Sequence, residues 1–312
     1  MNRKAIIFGI KGLKLTREEI NLLKTHKPWG VILFSRNIKT ISQLQKLILS
    51  IRLLLRDKKY PILIDEEGGK VNRLNKIINL TIYSQEFFGK LYNRDKELFY
   101  KIYINKLCEI FRTLGININT VPVLDVKRTK THNIIGSRSY SKNSSLVSKL
   151  GKICLYHYEK NRIGTVMKHI PGHGMAKSDS HYKTPIVNLG KDILKKKDFK
   201  PFKKNKSPFA MTAHVIYSNY DKKYTATHSK IIIDRVIREY INFKGILISD
   251  DISMKSLKYS LEKNAIMALS AGCNLILHCN GNIKEMSRLV RVIPKIDNFT
   301  KKKTSDFYKF LR

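Results

Sequence analysis

Acidic residues are scarce in this chain. It carries 24 Asp and Glu against 61 Lys and Arg, a formal net charge of +37. A balance that basic admits two readings. One is attraction to nucleic acid or another polyanion. The other is compositional drift, because lysine, isoleucine and asparagine are abundant together, as A/T-rich codons favour. The lysines are dispersed, apart from Lys195-Lys196-Lys197 and the stretch 301–303, and neither an aromatic-interleaved RNA motif nor helix-turn-helix spacing accompanies them. No nucleic-acid partner is expected, and a polyanion-binding protein stands as an alternative. Cysteine is sparse too. Cys108, Cys154, Cys273 and Cys279 show no CxxC or other metal-like spacing and sit in apolar stretches, as small buried hydrophobes of a reducing compartment do. Long apolar runs are missing, so no membrane insertion is expected. The apolar start at 5–10 is too short for a signal peptide, and a cytoplasmic setting follows. The single tryptophan, Trp29, reads as packing rather than as a sugar platform.

What is present is a repeat. Short apolar runs recur at 5–8, 30–34, 61–65, 118–125, 164–169, 209–214, 245–250 and 274–279, and each predicts a strand. Amphipathic helical patterns lie between them at 16–25, 41–55, 96–114, 144–160, 230–240 and 261–271. The region 84–114 reads as two helices broken near Asn93-Arg94-Asp95. Strand and helix in alternation imply parallel strands with right-handed crossovers. Eight such units in 312 residues predict one (β/α)₈ barrel of the TIM type, a single catalytic domain over 1–312. A doubly wound open sheet is disfavoured, because no glycine-rich dinucleotide turn follows the first strand.

Polar residues fall where such a barrel builds its sites. Asp65, Asp125, Lys168-His169, His214 and Asp250 each end an apolar run at its C-terminal side. Any one alone reads more simply as a cap on a loop or helix, but five on one face point to a site. Residues 168–181 run Lys168-His169-Ile170-Pro171-Gly172-His173-Gly174 and then Lys177 and Asp179-Ser180-His181, and they predict a shaped loop. Asp179 and His181, two positions apart, can pair carboxylate to imidazole and so make a general acid/base. The strand 245–250 ends in adjacent carboxylates, Asp250 and Asp251. Alternation allows only one of them to face the barrel axis, and parity does not say which. Asp65-Glu66-Glu67-Gly68-Gly69 reads either as a turn with a solvated charge run or, with Arg73, as a sugar-hydroxyl site. Arg138, in the segment 133–140, is a fork-shaped donor in a loop. His169, His173, Asp179, His181 and His214 also include zinc-type ligands, so a metal-dependent hydrolase on a TIM barrel stands as a second alternative.

Together these segments resemble the glycoside hydrolase family, family three, that contains the cytoplasmic β-N-acetylhexosaminidases of bacterial cell-wall recycling. The resemblance is carried by Gly30-Val31-Ile32-Leu33-Phe34-Ser35-Arg36-Asn37, by Lys168–Gly174 with its downstream Asp179-Ser180-His181, by Ser249-Asp250-Asp251-Ile252-Ser253-Met254, and by Ala271-Gly272-Cys273-Asn274. It implies a retaining exo-glycosidase that removes terminal N-acetylglucosamine from muropeptides with an anhydro-muramic end. Asp250 would be the nucleophile, His181 the acid/base and Asp179 its partner, with Asp65, Arg73, Arg138, Lys168 and His169 binding substrate. The resemblance implies no metal or other cofactor, and a monomer. Two departures are Lys70, where arginine is common, and Glu66, where glutamine is frequent; both bear on local loop packing.

Overall fold

The eight apolar runs become eight parallel strands because each is flanked by a helix that covers its outer side. In the computed structural model, which describes residues 2–95, 97–128, 135–176 and 184–311, the barrel strands are β1 (Lys4–Gly9), β2 (Pro28–Leu33), β3 (Ile62–Ile64), β4 (Ile118–Asn119), β5 (Gly164–Ile170), β7 (Phe209–Thr212), β9 (Ile246–Asp251) and β10 (Leu275–His278). They close in the order β1-β10-β9-β7-β5-β4-β3-β2. Closure leaves no free barrel edge, since β1 pairs with β2 on one side and β10 on the other. A separate two-stranded piece pairs β6 (Ile186–Val187) with β8 (Ile216–Tyr217) and was not foreseen from the sequence.

The α-helices are α1 (Arg17–His26), α2 (Ile41–Leu54), α3 (Gln85–Asp95), α4 (Leu98–Leu114), α5 (Ser144–Lys160), α6 (Lys191–Lys197), α7 (Lys200–Lys204), α8 (Leu261–Ala271), α9 (Ile283–Val292) and α10 (Asn298–Phe310). The helices include those expected, and α6, α7, α9 and α10 are added to them. Local chemistry sets their ends. Thr16 and Glu19 form a reciprocal capping box at the start of α1. Gly115 and Gly272 take left-handed backbone (φ 86° and 117°) to stop α4 and α8. Helical segment Ile232–Tyr240 winds as a π-helix rather than an α-helix, with Ile241 N–H bonded to the Val236 carbonyl. Its buried stripe of Ile232, Ile233, Val236 and Ile237 suits either winding, so periodicity does not separate them.

Two expectations need correction. The run 118–125 contributes only Ile118–Asn119 to regular pairing, because Pro122 has no N–H to donate and the chain leaves the ladder before it. Lys168 and His169 are not in a loop: β5 runs to Ile170, and the irregular segment begins at Pro171. The lysine-rich stretch 301–303 belongs to α10, which seals the N-terminal end of the barrel. There Phe307 packs edge-on against Phe209 at 5.2 Å, and the Thr304 hydroxyl accepts from Trp29 Nε1 at 2.9 Å. Trp29 is a fully buried packing residue. The core fills the barrel and the layer between strands and helices.

Candidate active site

At the C-terminal ends of the strands lies a cavity of about 150 Å³. Its floor is apolar, made by the buried side chains Ile32, Met211 and Leu277, and its walls carry Asp65, Arg73, Arg138, Lys168, His169, His173 and Asp250. The substrate positions implied by the resemblance therefore converge in one place. The Asp179–His181 pair lies outside the described residues. The residues that flank it are described: Ala176 N–H bonds to the His173 carbonyl at 3.2 Å, and the Thr184 hydroxyl donates to the Ser256 carbonyl at 2.6 Å. Ala176 thus lies beside His173 beyond the end of β5, and Thr184 beside the segment that follows Asp250 and Asp251.

Two adjacent carboxylates on β9 part company. Asp250 lines the cavity. Asp251 turns to the following bend, where its oxygens accept from Ser253 N–H at 3.1 Å and Ser253 Oγ at 2.8 Å. Burial raises the Asp250 carboxyl, but His214, His169, the Asp251 N–H at 2.7 Å and the Lys168 ammonium outweigh it and hold the group below the ordinary carboxylate range. Asp250 is anionic at neutral pH.

Lys168 and His169 both face the cavity although they are neighbours on one strand. Strict alternation would send one outward. The β5–β7 register shifts between Lys168 and Ile170, and such an irregularity re-aims a side chain at a strand end. Lys168 is 2% exposed, and its ammonium contacts Asp65 Oδ1, Glu67 Oε1 (2.6 Å) and Thr120 Oγ1 (3.0 Å). Three oxygens match its three hydrogens. Arg73 donates to Asp65 Oδ2 at 2.7 Å, and Thr120 Oγ1 donates to Asp65 Oδ1 at 2.6 Å. Burial acts to raise the Asp65 carboxyl, yet Lys168 and Arg73 bring it well below the usual range.

Asp125 and His214 do not line the cavity. They stand behind it, fully buried. Asp125 Oδ2 accepts from His169 Nδ1 at 2.7 Å, and Oδ1 takes the backbone N–H of His169 (3.2 Å) and His173 (2.7 Å). Assigned from that partner, the His169 tautomer keeps Nδ1–H toward Asp125 and leaves Nε2 for the cavity. His214 has Nδ1 2.7 Å from Thr227 Oγ1 and Nε2 3.0 Å from the Asp251 carbonyl. Nε2–H donates to that carbonyl, and burial lowers the pKa of the ring while Asp250 and Asp251 act to raise it.

The segment Asp65–Arg73 is not a solvated charge run. Glu66 and Glu67 are 1% and 5% exposed. Glu66 accepts from Gly68, Arg73 and Leu74 N–H at 3.0, 2.7 and 2.9 Å, which curls the chain so that Arg73 reaches back over Asp65. Gly68 sits at φ 73°, and a Cβ there would meet the Tyr83 carbonyl oxygen at 2.2 Å, so glycine is required on both counts. Glu67 holds the Arg138 fork at Nε (2.7 Å) and Nη2 (2.8 Å). Sequence reasoning missed Glu67. Its cue is three consecutive acids, 65–67, in a chain so poor in them. Among the described residues, no three His, Cys, Asp or Glu side chains gather in a way that would hold a metal ion, and no helix is long and apolar enough to cross a membrane.

Comparison with known proteins agrees with this geometry. Residues 4–305 match the family model described as the glycosyl hydrolase family 3 N terminal domain. A beta-hexosaminidase of Haemophilus influenzae (strain ATCC 51907 / DSM 11121 / KW20 / Rd) is 32% identical over 282 residues, 88% of this chain and 79% of that protein. One from Idiomarina loihiensis is 33% identical over 280 residues, 88% of this chain and 83% of that protein. The crystal structure of NagZ from Neisseria gonorrhoeae in complex with N-trifluoroacetyl-D-glucosamine superposes with a TM-score of 0.86 at 26% identity, covering 100% of this chain and 91% of that one.

Proposed function

We propose a reaction course for this chain from the premise that it belongs to glycosyl hydrolase family 3 and is a β-N-acetylhexosaminidase: exo-hydrolysis of terminal β-linked N-acetylglucosamine with retention of configuration. The observation that carries the reading is Asp250, an anionic carboxylate at a strand end, in a cavity whose floor is closed by apolar side chains. A closed floor admits the end of a glycan and stops a chain from running through. In the first step an Asp250 oxygen bonds to the anomeric carbon as the bond to the leaving oxygen breaks, and His181 gives its proton to that oxygen. In the second step water attacks the glycosyl-enzyme, His181 takes the proton from water, and the Asp250 carboxylate is released. Asp179 would hold one imidazole nitrogen so that the other faces the bond. An imidazole acid departs from the usual pair of carboxyls. The positions of Ala176 and Thr184 support it, since Ala176 bonds to His173 at the cavity wall and Thr184 bonds to Ser256 in the segment that follows β9.

Asp65 and Arg73 would bind ring hydroxyls, with Arg138 and His169 supplying further contacts that fix the sugar and Lys168, its three hydrogens taken by Asp65, Glu67 and Thr120, acting in substrate binding through Asp65. The natural substrate we infer is a muropeptide bearing N-acetylglucosamine on anhydro-muramic acid, processed in cell-wall recycling. The inferred setting is the cytoplasm and the inferred active form a monomer. The four cysteines, none of which is in a disulfide, accord with a reducing compartment. The deciding experiment is to trap the enzyme with a fluorinated N-acetylglucosamine analogue and locate the adduct by peptide mass. An adduct on the peptide containing Asp250 is expected. An adduct elsewhere, or inversion of configuration by NMR, would refute this course.

A further inference from the structure

Glu67 has no role in the reaction drawn above, yet it touches two of the cations that line the cavity. Its carboxylate is buried between the turn that bears Arg138 and the end of β5. Both Arg138 contacts use the Nε/Nη2 edge of the guanidinium, and Lys168 Nζ lies 2.6 Å from Oε1. We propose that Glu67 is a positioning residue for substrate binding: it fixes which edge of Arg138 faces the sugar and holds the Lys168 ammonium against Asp65. The inference rests on the hydrolase reading, and it assigns Glu67 an effect transmitted only through its two partners.

The physical case is one of donor counting. A guanidinium has five N–H groups. Glu67 engages Nε–H and one hydrogen of Nη2, so the three donors left for a sugar are the two on Nη1 and the second on Nη2. Removing the carboxylate lets the plane turn and present any edge, and it leaves a buried cation short of its partner. Lys168 is in a similar position. Its three hydrogens meet Asp65, Glu67 and Thr120, an arrangement that orients the ammonium from three sides. Glu67 is itself held below the ordinary carboxylate range; burial opposes this, and Arg138 and Lys168 overcome it. Glutamine at 67 keeps the shape and offers one oxygen, but its amide hydrogens would then face N–H donors of Arg138 or Lys168. One of the two contacts must be lost.

The test is a double-mutant cycle with an aryl β-N-acetylglucosaminide on wild type, Glu67→Gln, Arg138→Met and the double variant, with active sites titrated by the fluorinated analogue. Glu67→Gln is expected to raise KM by about 10–100-fold, the range typical of residues that orient ligating groups, while kcat per titrated site changes only a few-fold. In the Arg138→Met background the same change should have much less effect. Losses that multiply independently, or a Glu67→Gln defect confined to the titrated fraction with KM unchanged, would overturn the proposal. Should Glu67→Gln fail to fold, Glu67→Asp replaces it: charge is kept, but the shorter arm cannot span both cations, so KM must still rise, and an unchanged KM overturns the assignment. A wild type that hydrolyses no aryl sugar overturns the reaction itself and this inference with it. Normal wild-type turnover with an additive cycle overturns this inference alone.

Discussion

The two ends of the barrel both carry cavities, and the larger one is not the candidate site. Beneath the strands, between α5, α7 and α10, a cleft of about 740 Å³ is lined by Ile163, Phe243, Phe307 and Phe310, with Lys203, Lys206, Lys244 and Lys303 around it. Its charged groups are exposed, apart from the half-buried Lys303, and serve no common point. The mouth holds about 150 Å³. There the half-buried carboxylate Asp65 and the buried Glu67, together with Asp250, face Arg73, Arg138 and Lys168, three anions against three cations. In a chain of net charge +37 that local balance is the exception. Volume says where something fits; convergent, mutually paired charge says where something reacts.

The most severe way to break this comparison is to remove chemistry from the mouth without changing its shape. Asp250→Asn is isosteric and should lower kcat for an aryl β-N-acetylglucosaminide by about 10³-fold or more, since it removes the attacking oxygen's charge. Turnover within a few-fold of wild type would end the nucleophile assignment. His181→Ala should come next, costing about 10²–10⁴-fold on substrates with poor leaving groups and much less on activated aryl ones. Equal losses on both kinds of substrate would count against proton donation to the leaving oxygen.

The opposite end offers the converse. Phe307 is 4% exposed and packs on Phe209, with its ring over Gly164. Phe307→Ala should destabilise the protein by about 3–5 kcal/mol, measured by chemical denaturation, while kcat per folded molecule stays as in wild type. A specific loss of kcat in folded protein would mean that the two ends are coupled and that the contrast drawn here is too sharp.

Most of the barrel was legible in the sequence because its signal is repeated. Eight apolar runs and the helices between them each carry their own periodicity, and closure follows from the count. The failures share a cause, which is that partners are not visible along the chain. Glu67 reads as solvated because its neutralising groups, Arg138 and Lys168, lie 71 residues and more away, and Glu66 because its partners are backbone N–H groups of its own turn. Asp125 and His214 read as members of the mouth because strand ends all look alike in sequence, whereas only geometry shows that Asp125 serves His169 and that His214 serves a carbonyl. The helix α10 was hidden by its lysines, which are exposed or half-buried while Thr304 and Phe307 carry its contact with the barrel. Lys168 and His169 share a wall because of a local register shift that alternation alone denies.

The mildest expected effect is a difference in acid tolerance between the two ends, and its sign follows from the mouth's carboxylates. Asp65 is held well below its ordinary value of 3.8; burial opposes that shift, and Lys168 and Arg73 dominate it. A carboxyl depressed on folding contributes stability that is present above its unfolded pKa and is lost as pH falls toward its folded one. The contribution of Asp65 is therefore fully present and constant between neutrality and about pH 5, and it drains away below about pH 4. Asp65→Asn should remove that acid-sensitive contribution, so denaturation midpoints of wild type and variant draw together as pH drops from 5 to 3. Phe307→Ala, at the opposite end, removes no ionisable group, and its midpoints should run parallel to wild type over the same range. If Asp65→Asn also ran parallel, the ion network at the mouth would contribute no pH-linked stability, and its balance of charge would have to be explained by substrate binding alone.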